Sequence, residues 1–321
     1  MEIGNSEESG ARPFLTWASA AAGALSIAAA CSAVPASAGW QEDIGTFRVG
    51  VVAEPGAGNT IAGLAELNDA FTKALGLKVE FFVARSYAAL IEAQASSRIE
   101  YAVYSASAYA SAYRRCECVE PLVAPVGEDG SIGIRSVLIA RDGVLRSADD
   151  LAGRRIALAP ADSIAGHQLP LAAFRPGDRP LSGAETFFVK AESAEAAEAM
   201  LVEGSVDAIF GWLPAAGPDA PEIEGGTMAR LVAAGVERAA LSILWRSDIL
   251  RYGPHAVSAG LDAEPKRRLA AFLTGLHQAD PDMYERLETH RLGGFIAASQ
   301  TDYASALDMV DMLAATRPPA E

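Results

Sequence analysis

The run Asp162-Ser163-Ile164-Ala165-Gly166-His167 joins an expected strand to an expected helix and combines a hydroxyl with small residues. Backbone N–H groups at such a helix start, helped by the helix dipole, suit an anion. An ordinary helix cap is the other reading. Tyr87, at the first turn of a helix, and Tyr104, at the end of a strand, read either as core rings with wet hydroxyls or as ligand contacts. Cys116 and Cys118 offer a second chemistry, and a bridge, two thiols or half of a metal site stay open. A metal would need two more ligands, and no His or Cys lies nearby in sequence, which favours a structural or redox pair. Gly56-Ala57-Gly58, with Glu80 further on, imitates a dinucleotide-binding turn, but Ile61 occupies the place of the third glycine. Gly130-Ser131-Ile132-Gly133 is preceded by Asp129, so it is not a nucleophile elbow. The four histidines, His167, His255, His277 and His290, are scattered, and no Walker A or His-Glu-x-x-His sequence occurs. No catalytic residue, cofactor or metal is therefore expected.

These residues must be held by a chain of 321 residues, half of them hydrophobic, which suits two domains of ordinary size. With 26 Lys plus Arg against 41 Asp plus Glu, the net charge is −15, which repels nucleic acid and anionic lipid. A site within such a protein can still be locally positive. Arg12 precedes an apolar, Ala-rich run over 14–30, and Ala36-Ser37-Ala38 gives a small-x-small cleavage pattern. Residues 1–38 thus read as an export signal and the protein as periplasmic, in preference to lipid anchoring at Cys31. Glu2, Glu7 and Glu8 are unusual in such a leader. Losing one Arg and three Glu with it would move the net charge from −15 to −13.

Short β-branched runs predict strands at 47–53, 78–83 and 99–104, alternating with helices at 60–75 and 86–97. That alternation predicts a parallel sheet with right-handed crossovers. A second series follows, with strands at 133–141, 155–159, 185–189 and 206–210, a short helix at 147–153 and a longer one at 193–203. Residues 211–226 read as a Gly- and Pro-rich lid or loop. A strand at 240–245 is expected to cross back to the first lobe. Helices close the chain, one from 262 with Leu269, Phe272, Leu273 and Leu276 inward, one at 302–314 with Tyr303, Leu307 and Val310 inward. Two such α/β lobes would leave a cleft between them. Ligands of such sheets sit at strand carboxyl ends, here 53–60, 84–87, 104–107, 160–167, 190–193 and 210–212.

From about 47 to 310 the chain resembles the phosphate/phosphonate-type substrate-binding proteins of ABC importers. The resemblance rests on segments in order: 47–51, 87–93, 101–104, 135–139, Asp149-Asp150-Leu151-Ala152-Gly153-Arg154-Arg155, Asp162-Ser163-Ile164-Ala165-Gly166, and Gly204-Ser205-Val206-Asp207-Ala208. It implies a two-lobed α/β periplasmic-binding-protein fold, type II-like, with the ligand cleft between lobes that close as a hinged trap. The expected limits are lobe 1 at 46–135, completed by 250–315, and lobe 2 at 136–245. Tyr87 and Tyr104 match positions that face the ligand in the family, and Ser163 matches a hydroxyl that holds phosphonate oxygens. Ile164 and Ala165 stand where further hydroxyls are expected, Ala194 where the family often has a ligand-binding His, and Arg135 where it often has an aromatic residue. Each lost charge-assisted bond weakens an anion site by roughly 1.5–3 kcal/mol. Arg135 or His167 could restore positive charge for a different anion.

The expectation is an extracytoplasmic solute-binding protein of an ABC importer, not an enzyme, taking a small oxyanion such as a phosphonate or phosphate ester. Tyr87, Tyr104, Ser105, Arg135, Ser163, Gly166 and His167 are expected near the ligand, with Trp212 covering it from the second lobe. The implied partner is a membrane permease, and the protein is expected to be a monomer. The alternatives are a binding module for a sensor and an enzyme on the same fold.

Overall fold

In the computed structural model, which describes residues 39–52, 63–151 and 153–316, strands and helices alternate as their burial patterns require. The leader read at 1–38 with Cys31, the Gly56-Ala57-Gly58 turn and the first turn of the helix read from residue 60 lie outside the described residues. The first half runs α1 (Gly39–Ile44), β1 (Thr46–Val52), α2 (Leu64–Leu75), β2 (Lys78–Ala84), α3 (Tyr87–Ala95), β3 (Tyr101–Val103), α4 (Ala106–Cys116), β4 (Val119–Pro125) and β5 (Gly133–Arg141). The second continues with β6 (Ile156–Leu158), α5 (Leu169–Ala173), β7 (Phe188–Lys190), α6 (Ala194–Glu203), β8 (Ala208–Ala215), α7 (Gly226–Ala233), β9 (Leu241–Arg246), β10 (Leu250–Arg251), β11 (His255–Ser258), α8 (Ala263–Ala279), α9 (Pro281–Leu287), β12 (Phe295–Ala297) and α10 (Ala304–Thr316).

The strands form two sheets, and these make two lobes. The first has the order β12-β4-β11-β3-β1-β2, and the second β10-β5-β8-β6-β7 with β9 also on β5. Each has a parallel centre, β2-β1-β3 in one and β7-β6-β8 in the other. Antiparallel strands complete both, so the sheets are mixed rather than parallel throughout. The reason is that β11 enters from the other lobe and runs between β3 and β4 against both.

Why these elements form follows from their faces. In β1, Phe47, Val49 and Val51 pack with Phe71 of α2 and with Leu269 and Leu273 of α8. Each large apolar side chain so buried contributes roughly 1.5–3 kcal/mol. Its other face takes α3, so close at Gly50 that a Cβ there would lie 2.5 Å from Leu90 Cδ1. In β5, Val137 and Ile139 feed one core and Leu138 and Ala140 the other, the two-residue alternation of a sheet covered on both sides. α10 buries Ala306 and Met309, and the turn before it Tyr303, in a cluster that holds α4 of the first lobe and Leu169 and Ala172 of α5 in the second. Leu307 and Val310 pack against the same cluster, half-buried.

Two expectations are corrected. Residues 147–151 are bends and turns and not a helix. The capping signal at Ser147 is present, but Gly153 takes φ +73° only six residues later, too soon for a helical nucleus to grow. The strand at 240–245 does not cross to the first lobe, because β9 pairs antiparallel with β5 in the second sheet. The chain instead passes between sheets at 126–132 and at 252–254. The lobe limit expected at 135/136 falls inside β5, and 250–251 is β10, also in the second sheet.

Cys116 and Cys118 are joined in a disulfide, which settles the choice among bridge, thiols and metal ligands. Glu117 between them takes φ +49°, the left-handed turn that ends α4 and brings the two Cα atoms to 5.0 Å. Among the described residues no helix is long and apolar enough to cross a membrane.

Candidate functional site

A cavity of about 1070 Å³ opens where β1, β2, β3 and β4 end. Its lining includes Val52, Arg85, Tyr104 and Pro125 from these strand ends, and Tyr87 and Ala106 from the first turns of α3 and α4. Ile134 and Ile164 come from the second lobe, Leu250 to Gly253 from the crossing, and 287–291 from the loop after α9.

The start of α4 is the best-defined polar element. Ser105 is its N-cap, with the side chain accepting from the Ala108 N–H at 3.2 Å and lying 3.3 Å from Ser107 Oγ. The first N–H groups of a helix have no partner within it, and of these Ala106 stands at the cavity. Tyr104 borders the cavity but is buried, 2% exposed, and its hydroxyl donates to Gln94 Oε1 at 2.8 Å. Burial pushes the Tyr104 phenol well above the ordinary tyrosine range, so it stays neutral. Tyr87 is more open, 40% exposed.

The crossing is stitched to this element. Tyr104 N–H donates to the Pro254 carbonyl at 3.0 Å, and a Cβ at Gly253 would lie 1.9 Å from the Tyr104 carbonyl oxygen. Only glycine allows that approach, which brings Arg251 and Tyr252 beside the start of α4. Arg251 is 7% exposed, its Nε has no hydrogen-bond partner, and no carboxylate pairs with it among the described ion pairs. Its guanidinium lies by the Tyr303 hydroxyl, whose own proton goes to the Tyr252 carbonyl at 2.9 Å. Across the cavity the Arg291 guanidinium stacks on the Tyr252 ring at 4.3 Å and pairs with Glu288 at 3.7 Å. Among the described residues the lining holds Arg85, Arg251 and Arg291 against the carboxylate of Glu288, a locally positive pocket in a chain of net charge −15.

The structure brings Tyr87, Tyr104 and Ser105 to this cavity. The other five expected residues face elsewhere or are already engaged. Ser163 caps one π-helical turn, Ile164–Gln168, by accepting the Gly166 N–H at 3.2 Å, so that N–H is taken. Ile164 lines the cavity from that turn. His167 Nδ1 donates to the Ala159 carbonyl at 2.7 Å. Arg135 donates to the Ser247 carbonyl at 2.7 Å and the Pro218 carbonyl at 3.2 Å. Trp212 packs against the start of α7, with the Arg230 guanidinium 5.7 Å from its ring centre. Of the strand ends that topology singles out, 84–87 and 104–107 reach the cavity through Arg85, Tyr87, Tyr104, Ser105 and Ala106, and 53–60 lie outside the described residues. The sequence reading missed Arg85, Arg251 and the 287–291 loop. Arg251-Tyr252-Gly253-Pro254 was the available signal, a cation and a ring held in a turn by Gly-Pro.

With the geometry in hand, comparison with known proteins is informative. Residues 49–303 match the profile of the family described as ABC transporter, phosphonate, periplasmic substrate-binding protein. No curated protein sequence matches the chain. Among solved structures, the Xanthomonas citri protein XAC2383 with chloride ion bound is similar at 16% identity and a TM-score of 0.52, over 84% of this chain and 98% of that one. The same protein bound to ATP gives 15% identity and 0.50, over 86% and 100%. Transferrin 1 from Manduca sexta gives 14% identity and 0.57, over 84% of this chain and 46% of that one. At such identities these likenesses concern the fold.

Proposed function

The chain belongs to the phosphonate-type periplasmic substrate-binding proteins of ABC transporters, a binding family and not an enzymatic one, and from that premise we propose that its cavity takes a small oxyanion. A phosphonate or phosphate ester is the ligand, handed to a membrane permease of the kind the family implies. Export by the leader at 1–38 and a monomeric state belong to the same reading.

One observation carries the ligand's charge. Among the described residues Arg251 is a buried cation without a carboxylate partner, lining the same cavity as the start of α4. An uncompensated buried charge is costly, and an anion seated there relieves that cost while gaining charge-assisted hydrogen bonds. Ser105 adds a hydroxyl, and the exposed ring of Tyr87 gives the organic part an aromatic wall. The departures at Ile164, Ala165 and Ala194 remove polar groups on the second-lobe side, so recognition is concentrated on the first lobe and the crossing.

Calorimetric titration with methylphosphonate, a phosphate monoester, a sulfonate and a neutral sugar tests this. Saturable binding of an oxyanion, weakened by salt, is expected. Binding of the sugar alone would refute the reading.

A further inference from the structure

The positive groups of the cavity are spread apart. Gly50 pairs with Phe82 on one side and Ala102 on the other, and Val52 pairs with Ala84. Counting along these parallel strands puts Ala84, Val52 and Tyr104 on one level. The residues that follow are Arg85 on one side and Ser105, the cap of α4, on the other. β1 lies between β2 and β3, so the two backbone positions are two strand spacings, about 10 Å, apart. A single tetrahedral oxyanion is far smaller than that separation. The volume of about 1070 Å³ is also that of a pocket for an organic molecule rather than a bare ion. Among the described residues no carboxylate pairs with Arg85, which is exposed at the cavity.

Resting on the oxyanion reading above, we propose that the ligand is an elongated organic dianion. Its first anionic group sits between Arg251 and the start of α4. The organic body runs past Val52 and Tyr87, and the second anionic group meets Arg85. Arg85 is then the residue that selects dianions over monoanions of the same length.

The test is calorimetric titration of the purified protein, at one ionic strength, with methylphosphonate, hexylphosphonate and hexane-α,ω-diphosphonate. The diphosphonate is expected to bind at least about tenfold tighter than hexylphosphonate, the worth of one charge-assisted bond. Arg85→Gln is expected to remove that preference and Arg85→Lys to keep part of it, because Lys retains the charge but not the fork. Equal affinities of the two hexyl ligands in the wild-type protein, or a preference that survives Arg85→Gln, would overturn the dianion proposal. If methylphosphonate still bound in those cases, the oxyanion reading would stand alone. No binding by any of the three phosphonates would overturn both.

Discussion

Replacing Arg251 with Met should separate ligand binding from folding. Met has a similar reach and an apolar stem, so it can fill the same space without the charge. Arg251 is 7% exposed, its Nε is unpartnered and, among the described residues, no carboxylate pairs with it. Two charge-assisted bonds to an oxyanion would be worth roughly 1.5–3 kcal/mol each. Even half of that total, allowing for water that replaces the ligand, raises Kd by about tenfold to a hundredfold. The unliganded protein should unfold at the same urea concentration or a higher one, because an uncompensated buried charge has gone. Titration calorimetry gives the first quantity and urea unfolding the second. An unchanged Kd would refute the role of Arg251. A large loss of unliganded stability would show that the guanidinium holds the structure through Tyr303 instead.

Three further outcomes are expected. Gly253→Ala should destabilise by more than ~2 kcal/mol in urea unfolding, since its Cβ would meet the Tyr104 carbonyl at 1.9 Å and both partners are backbone; a neutral result would mean the crossing can shift. Ser105→Ala should lower stability by about 1 kcal/mol through the lost α4 cap and also weaken oxyanion binding, both readable from ligand-dependent thermal unfolding. His255 is fully buried between Tyr101 and Phe295, and burial lowers its pKa to about 3, so it is neutral when folded. Its contribution is therefore complete above the unfolded value of about 6.5 and is lost as pH falls toward 3. From pH 7 to 4.5 that loss is on the order of 2–3 kcal/mol, and His255→Phe should show a shallower acid dependence than the wild-type protein. An identical pH dependence in the variant would contradict the burial argument.

Much of the scaffold could be read from local pattern. Val137-Leu138-Ile139 is a strand covered by apolar neighbours on both faces, and Phe47-Arg48-Val49 is one whose Phe47 and Val49 face the core while Arg48 is exposed, and both patterns show in composition. The caps Ser86, Ser105 and Ser193 all accept helix N–H groups, although the sequence pattern announced only the helices after Ser86 and Ser193. α4 was not legible, because Ala-Ser-Ala-Tyr-Ala-Ser-Ala-Tyr hides its stripe in small residues that are buried chiefly by α3 and α10. β11 was not legible either. His255-Ala256-Val257-Ser258 has little strand character, and the segment is fixed by pairing with β3 and β4 more than a hundred residues away. The site followed the same division. Tyr87, Tyr104 and Ser105 stand at strand ends that topology singles out. Arg251 becomes a candidate only once the crossing, held by Gly253 against Tyr104, sets it beside α4.

The central claim, that this binding protein carries an oxyanion, is tested most directly by thermal unfolding against a panel of phosphonates, phosphate esters, sulfonates, amino acids and neutral solutes. A ligand at a hundred times its Kd adds about 2.7 kcal/mol. For a chain of this size that is roughly 5 °C. A shift of that size with a phosphorus oxyanion, absent in Arg251→Met, is the predicted result. A shift with a neutral solute or an amino acid, and none with any oxyanion, would contradict the account.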